Sequence, residues 1–248
     1  MIILKSQDEI KRIAEACWFV AELLEEIKKI IAPGITTIEL DRFAESFIIS
    51  RGAKPAFKGY RSYPATLCTS VNEQVVHGIP SARELKEGDI ISLDVGVYYN
   101  GFYGDAAVTL PVGKIDDAAR KLLTVTAAAL YQGIEKAVVG NRLSDISSAI
   151  QNCVEAESFS IVRNFTGHGI GRELHEDPQL PNFGRPGEGS VLMEGMTLAI
   201  EPMVNAGDWE IIILDDGWTA VTKDRSLSAH FEHTVAITSD GSRILTKL

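Results

Sequence analysis

Cysteine is scarce in this chain. Cys17, Cys68 and Cys153 are the only three among 248 residues, an odd number with no Cys-x-x-Cys spacing. That argues against a disulfide framework and for free thiols in a reducing compartment. Long apolar runs are missing as well, and the longest fall far short of a membrane span. No basic block exceeds a dipeptide and the net charge is −10, so a specific nucleic-acid surface is not expected. The opening Met1-Ile2-Ile3-Leu4-Lys5-Ser6 has no signal-peptide pattern, so a cytoplasmic protein is expected. No low-complexity stretch or linker divides the chain. With 45% hydrophobic and 23% charged residues it reads as one soluble domain, 1–248.

Periodicity supplies the elements. Ser6-x-x-Glu9 is a capping-box pattern, followed by Ile10, Ile13, Cys17, Val20, Leu24, Ile27 and Ile31 at helical spacing until Pro33-Gly34. Thr36-x-x-Glu39 opens a second helix that ends near Gly52. Residues 53–88 read as irregular, with strand-like pieces at Leu67 and Val75. A strand pair is expected at 90–110, a long helix from Asp117 to Val139, and a shorter one over 144–157. Strands follow near 160–165, 196–204, 210–214, 219–223, 229–238 and 242–246. Helix, helix, strands therefore occurs twice, which suggests two equivalent halves, about 1–112 and 113–248.

Four carboxylates sit in apolar surroundings: Asp94 in Ile91-Ser92-Leu93-Asp94-Val95-Gly96-Val97, Asp105 before Ala106-Ala107-Val108, Glu201 after Leu198-Ala199-Ile200, and Glu232 before His233-Thr234-Val235. All four contexts read as buried strands. An unpaired buried carboxylate costs several kcal/mol or takes up a proton, so such strands need a cation. No Lys or Arg lies in these runs, which points to a metal. His168, between Gly167 and Gly169, adds a nitrogen donor, and the glycines suggest close backbone approach or unusual dihedrals.

Asn100-Gly101 marks a two-residue hairpin turn. It sets Tyr99 opposite Phe102, Asp94 opposite Ala107 and Gly96 opposite Asp105. Asp94 and Asp105 then become diagonal neighbours on one face, about 7–8 Å apart at the backbone. A surface hairpin with exposed acids would read the same way; the flanking Ile, Leu and Val runs favour a site. On the last strand, His230, Glu232 and Thr234 share a face. His233 lies on the other and reads as a structural histidine.

Several strings resemble type I methionine aminopeptidases: Asn72-Glu73-Gln74-Val75-Val76-His77-Gly78-Ile79-Pro80, Asp94-Val95-Gly96, Gly104-Asp105, Gly167-His168-Gly169-Ile170-Gly171, Leu174-His175-Glu176-Asp177-Pro178, Glu201-Pro202 and Phe231-Glu232-His233-Thr234. They occur in order across essentially the whole chain. The resemblance implies an α+β pita-bread fold, two pseudo-symmetric halves around a curved antiparallel sheet. It implies two divalent ions (Mn, Fe or Co, with Zn admitted). Asp94 would chelate one, His168 and Glu201 the other, and Asp105 and Glu232 would bridge them. A water between the ions would attack the methionine carbonyl, His77 and His175 would contact the peptide, and Glu201 would move a proton to the leaving amine. Tyr60, Tyr63, Cys68 and Trp218 would line the methionine pocket, with Phe57 and Leu174 departing from residues common there. His230 stands where the family often has Gln. Arg61 and Ser62 read as solvated.

The substrate implied is a newly made polypeptide with a free N-terminal Met and a small second residue, handled by a monomer that visits the ribosome transiently. The absence of an N-terminal zinc-binding extension suggests a bacterial-type protein. A prolidase of the same fold is the first competing reading, although prolidases carry a further N-terminal domain. A non-catalytic binding module on this fold is the second, although such relatives lose metal ligands and all five are present here.

Overall fold

The computed structural model describes residues 1–248. Helix α1 spans Gln7–Ile30 and α2 spans Thr37–Ser50. Short strands β1 (Lys54–Pro55), β2 (Leu67–Val71) and β3 (Gln74–Val76) precede the hairpin β4 (Ile90–Tyr99) and β5 (Phe102–Pro111). Helices α3 (Asp117–Lys136) and α4 (Leu143–Ala156) come next. Ten strands complete the chain: β6 (Ser160–Ile161), β7 (Thr166–Gly169), β8 (Glu176–Pro181), β9 (Thr197–Ile200), β10 (Met203–Asn205), β11 (Ile211–Ile213), β12 (Ala220–Thr222), β13 (Ser228–His230), β14 (His233–Thr238) and β15 (Gly241–Ile244). Every strand pairing is antiparallel. No helix is long and apolar enough to cross a membrane.

The helix starts follow their local chemistry. Ser6 and Glu9 close a reciprocal capping box on α1, and Thr36 and Glu39 do so on α2, satisfying backbone N–H groups that have no helical partner. Asp116 caps α3 through the Ala119 N–H at 2.7 Å. That helix stops three residues before the expected Val139. Gly140 and Leu143 instead donate to Leu192 and Ser190, which draws the chain out of helical geometry.

The two largest of five apolar clusters fill most of the interior. One packs α1 and α2 against β2, β4 and β5, through Val20, Leu23, Leu40, Ile91, Leu93 and Val95. The other packs α3 and α4 against β9 and β14, through Leu122, Leu130, Ile146, Leu198 and Val235. Threonine hydroxyls join the two sheets. Thr234 Oγ1 accepts from Asp105 N at 3.2 Å and donates to Asp105 O at 2.8 Å. Thr109 Oγ1 likewise accepts from His230 N and donates to His230 O, both at 2.8 Å.

The hairpin register is the expected one, with Tyr99 opposite Phe102, Asp94 opposite Ala107 and Gly96 opposite Asp105. The expected continuous strands over 196–204 and 229–238 are each broken. β9 ends before Glu201-Pro202 and β10 starts after it; β13 and β14 flank Phe231-Glu232. In both places the chain leaves one sheet and enters another, since β10 pairs β13 while β9 pairs β14. Glu201 and Glu232 thus lie in adjacent sheet crossings rather than inside strands. Pro202 has no N–H for a ladder, which favours the break at that point. His168 is in β7, not in a turn. Gly167 and Gly169 have ordinary dihedrals, and a Cβ on either would lie 2.4 or 2.2 Å from a neighbouring carbonyl oxygen, so close approach alone explains them.

Candidate active site

Asp94 and Asp105 project from one face of the β4–β5 hairpin, and Cys68 on β2 sits directly opposite Asp94. Glu232 reaches the same space from the β13–β14 crossing, where its N–H donates to Ala107 O at 2.9 Å. His168 comes from β7. Its Nδ1 lies 2.9 Å from Gly169 O, and since a carbonyl only accepts, the proton belongs on Nδ1. Nε2 is left with a free lone pair, 3.4 Å from Glu201 Oε1. Donor atoms of Asp105, His168 and Glu232 all lie within 4.8 Å of one another.

These acids are held above their ordinary values. Burial raises Asp94 and Glu201 to about 7 each. Burial, then the negative neighbours, also pushes Asp105 and Glu232 well above the ordinary carboxylate range. Asp94 Oδ1, Asp105 Oδ1 and Glu232 Oε1 are buried with no hydrogen-bond partner. Lys and Arg are absent from the immediate lining of the cluster apart from Arg61 at the rim.

The cluster floors a cavity of about 130 Å³. Tyr60, Tyr63, Cys68 and Trp218 line it, as expected from sequence, and Phe57 and Leu174 line it too. Tyr63 turns its hydroxyl away, toward Leu67 O at 2.9 Å and Gly78 O at 3.0 Å, and sets its ring edge-on to Trp218 at 5.1 Å. His175 Nδ1 lies 2.8 Å from Tyr60 Oη, and the two rings stack at 5.2 Å. Burial lowers His175 to about 3 and His77 to about 4, so both rings are neutral near pH 7. His77 has φ of +60°, an uncommon conformation for a side-chain-bearing residue and one that gathers at functional sites.

A groove of about 520 Å³ continues from the cavity past His77, lined also by Phe165, Gln179 and Met203. Sequence reading missed these three. Their one signal is proximity in the chain to His168 and Glu201. Arg61 is solvated as expected, yet it also rims both spaces, with φ of +46° and its guanidinium 5.3 Å from the Tyr60 ring centroid. His230 Nε2 is buried without a partner, 3.6 Å from Glu201 Oε2. His233 faces away, with Nδ1 2.9 Å from Thr246 Oγ1.

The model of metallopeptidase family M24 matches residues 11–239. The chain belongs to metallopeptidase family M24. It is 57% identical over 246 residues to a methionine aminopeptidase of Clostridium perfringens, covering 99% of both chains. The crystal structure of methionine aminopeptidase from Thermotoga maritima superposes with a TM-score of 0.98 at 50% identity, covering 100% of each chain. A prolidase of Pyrococcus horikoshii shares the fold with a TM-score of 0.81 at 25% identity, and only 64% of that chain is covered. The chain thus has the pita-bread α+β fold and lies within the methionine aminopeptidases of M24.

Metallopeptidases of M24 depend on metal, and the donor set here suits one. Four carboxylates and one imidazole favour hard to borderline divalent cations, and burial holds the neighbouring Cys68 thiol well above its ordinary pKa. The three orphaned carboxylate oxygens are buried acceptors that a cation would satisfy.

Proposed function

We propose that this chain removes the initiator methionine from newly made proteins, preferring a small second residue. The observation that carries the reading is the convergence of Asp94, Asp105, His168, Glu201 and Glu232 at the floor of an apolar-walled cavity flanked by two neutral histidines. Asp94 would hold one divalent ion, His168 and Glu201 a second, and Asp105 and Glu232 would bridge them, with Mn, Fe or Co suited best and Zn admitted. When bound, such ions polarise a carbonyl and lower the pKa of water, which supplies a nucleophile near neutral pH.

The protein's own groups then orient and stabilise. A methionine side chain would enter the end lined by Tyr60, Tyr63, Cys68 and Trp218, where aromatic faces and a thiol suit a thioether. With the Tyr60 hydroxyl as donor to His175 Nδ1, 2.8 Å away, the proton of that neutral ring would sit on Nε2. His175 is thereby a hydrogen-bond donor for the oxyanion that develops on the scissile carbonyl. His77, between cavity and groove, is placed to contact the peptide beyond the scissile bond. Glu201 would carry a proton to the leaving amine. The second residue would lie in the groove beside Phe165 and Met203, whose bulk favours small side chains.

We further propose that the chain acts as one catalytic domain of two halves, 1–112 and 113–248, as a cytoplasmic monomer in transient contact with the ribosome. Chelator treatment should abolish release of Met from Met-Ala-Ser, and Mn or Co should restore it. Full turnover in verified metal-free protein would overturn the mechanism. Release of residues next to proline instead of Met would point to a prolidase.

A further inference from the structure

The segment before α1 takes no part in the chemistry above, yet it is built into the loop that carries His175. Lys5 is 7% exposed. Its Nζ pairs with the Glu176 carboxylate, and both side chains are buried, at 3% and 6% exposure. Nζ also donates to Ile3 O at 3.1 Å. The main chain of Lys5 donates to Gly195 O at 2.7 Å, and Gly195 donates in turn to Ile237 O on β14 at 3.0 Å. The cation is therefore anchored to the sheet that carries His168 and whose strand β9 leads into Glu201.

Glu176 uses its other oxygen differently. Oε1 accepts from Arg172 N at 2.7 Å and from Glu173 N at 3.2 Å. These bonds close the 172–176 turn, which presents Leu174 to the cavity and His175 to Tyr60. The turn has a second tie where Tyr103 N donates to Gly171 O at 2.8 Å, two residues from Asp105. Gly171 makes room for the ion pair: a Cβ there would lie 2.5 Å from Lys5 Cε and 2.7 Å from Glu176 Oε1. The third glycine of Gly167-His168-Gly169-Ile170-Gly171 thus has a purpose that metal ligation does not supply.

We infer that Lys5 is a positioning residue for His175, acting through Glu176 to clamp the 172–176 turn against the metal-bearing sheet. The inference rests on the proposed role of His175 at the scissile carbonyl. A carboxylate that holds two backbone amides while paired to a buried ammonium has few alternative arrangements, because releasing either partner leaves a buried charge uncompensated. Sub-ångström placement of an oxyanion donor is what such a clamp secures, and misplacement by about 1 Å can cost on the order of 100-fold in rate.

The test is Lys5→Met, which keeps length and apolar bulk while removing the charge. Assays run far below the melting temperature should show kcat lowered roughly 10- to 100-fold with KM little changed. Metal binding by calorimetry should be unchanged. Hydrogen exchange should accelerate at the Arg172 and Glu173 amides and not across the chain. If Lys5→Met does not fold, Gly171→Ala, which displaces the same pair, should give the same exchange signature. A folded Lys5→Met protein with wild-type kcat and unchanged exchange at 172–173 overturns the clamp. So does uniform acceleration of exchange with a lower melting temperature and unaltered kcat, which is a stability role alone. The exchange readout involves no substrate, so it tests the clamp even if the wild-type protein releases no methionine.

Discussion

Removing both Asp94 and Glu201 as charges should make the metal-free protein more stable at neutral pH, although it removes two of the proposed metal ligands. Burial raises each to about 7, from ordinary values of 3.8 and 4.5. A carboxyl whose pKa is higher folded than unfolded contributes stability that is complete below its unfolded pKa. That stability is lost as the pH rises through the folded pKa. Between pH 5 and 7 each group gives up about 1.4 kcal/mol per pH unit, or roughly 3 kcal/mol. The two face one cavity and titrate together, so about 6 kcal/mol is the upper bound for the pair. For a chain of this size that corresponds to a melting shift on the order of 10 °C. The histidines work in the opposite direction. His77, His175 and His233 are lowered to about 4, 3 and 4, so their contribution is lost as the pH falls from the unfolded value toward those pKa values. The pH profile of one protein therefore mixes both effects. The difference between chelator-treated wild type and chelator-treated Asp94→Asn/Glu201→Gln isolates the acids, because both proteins keep the histidines. Melting temperatures at pH 5, 6, 7 and 8 should show a gap that widens with pH in favour of the double variant. Saturating Mn should reverse the order at pH 8, since the cation binds only the wild-type ligand set tightly. A gap that stays constant from pH 5 to 8 would refute the account of these acids as buried charges held for a cation.

Asp105→Asn should lose both metal stoichiometry, by elemental analysis, and activity; intact metal binding would remove its bridging role. Tyr60→Phe deletes the donor to His175 Nδ1 and should lower kcat several-fold, the equivalent of about 1 kcal/mol, with metal content unchanged by the same analysis. Thr234→Val breaks both bonds that join Asp105 to β14, leaving two main-chain groups unpaired. It should cost about 1–3 kcal/mol in denaturant unfolding. Trp218→Ala opens the end of the cavity proposed for methionine and should raise KM for Met-Ala-Ser far more than it lowers kcat, measured by steady-state kinetics.

Helices were legible wherever a cap and a 3.6-residue period coincided. α1 and α2 begin one residue after the serine and threonine that the capping boxes identify, because those side chains satisfy amides no other group can reach. The hairpin was equally legible. Asn100-Gly101 set the register, and with a period of two residues the register put Asp94 and Asp105 on one face. Strand continuity in the second half was not legible. Residues 196–204 and 229–238 read as unbroken strands, since both parts of each are rich in apolar or β-branched residues. Only pairing with different partner strands divides them.

The sequence alone determined that this chain buries acids without basic partners, that one histidine accompanies them between glycines, and that its motifs run in the order of one metallopeptidase family. Those are properties of residue type and spacing, which local chemistry controls. Tertiary structure decided that Glu201 and Glu232 sit in adjacent crossings between sheets, that the Tyr60 hydroxyl meets the His175 ring, and that Lys5 pairs with Glu176 in the turn carrying it. Each of these joins residues more than 25 positions apart, and no local period encodes such a pairing. It follows from which faces must be buried together, and that is settled only when the two cores close around the cavity.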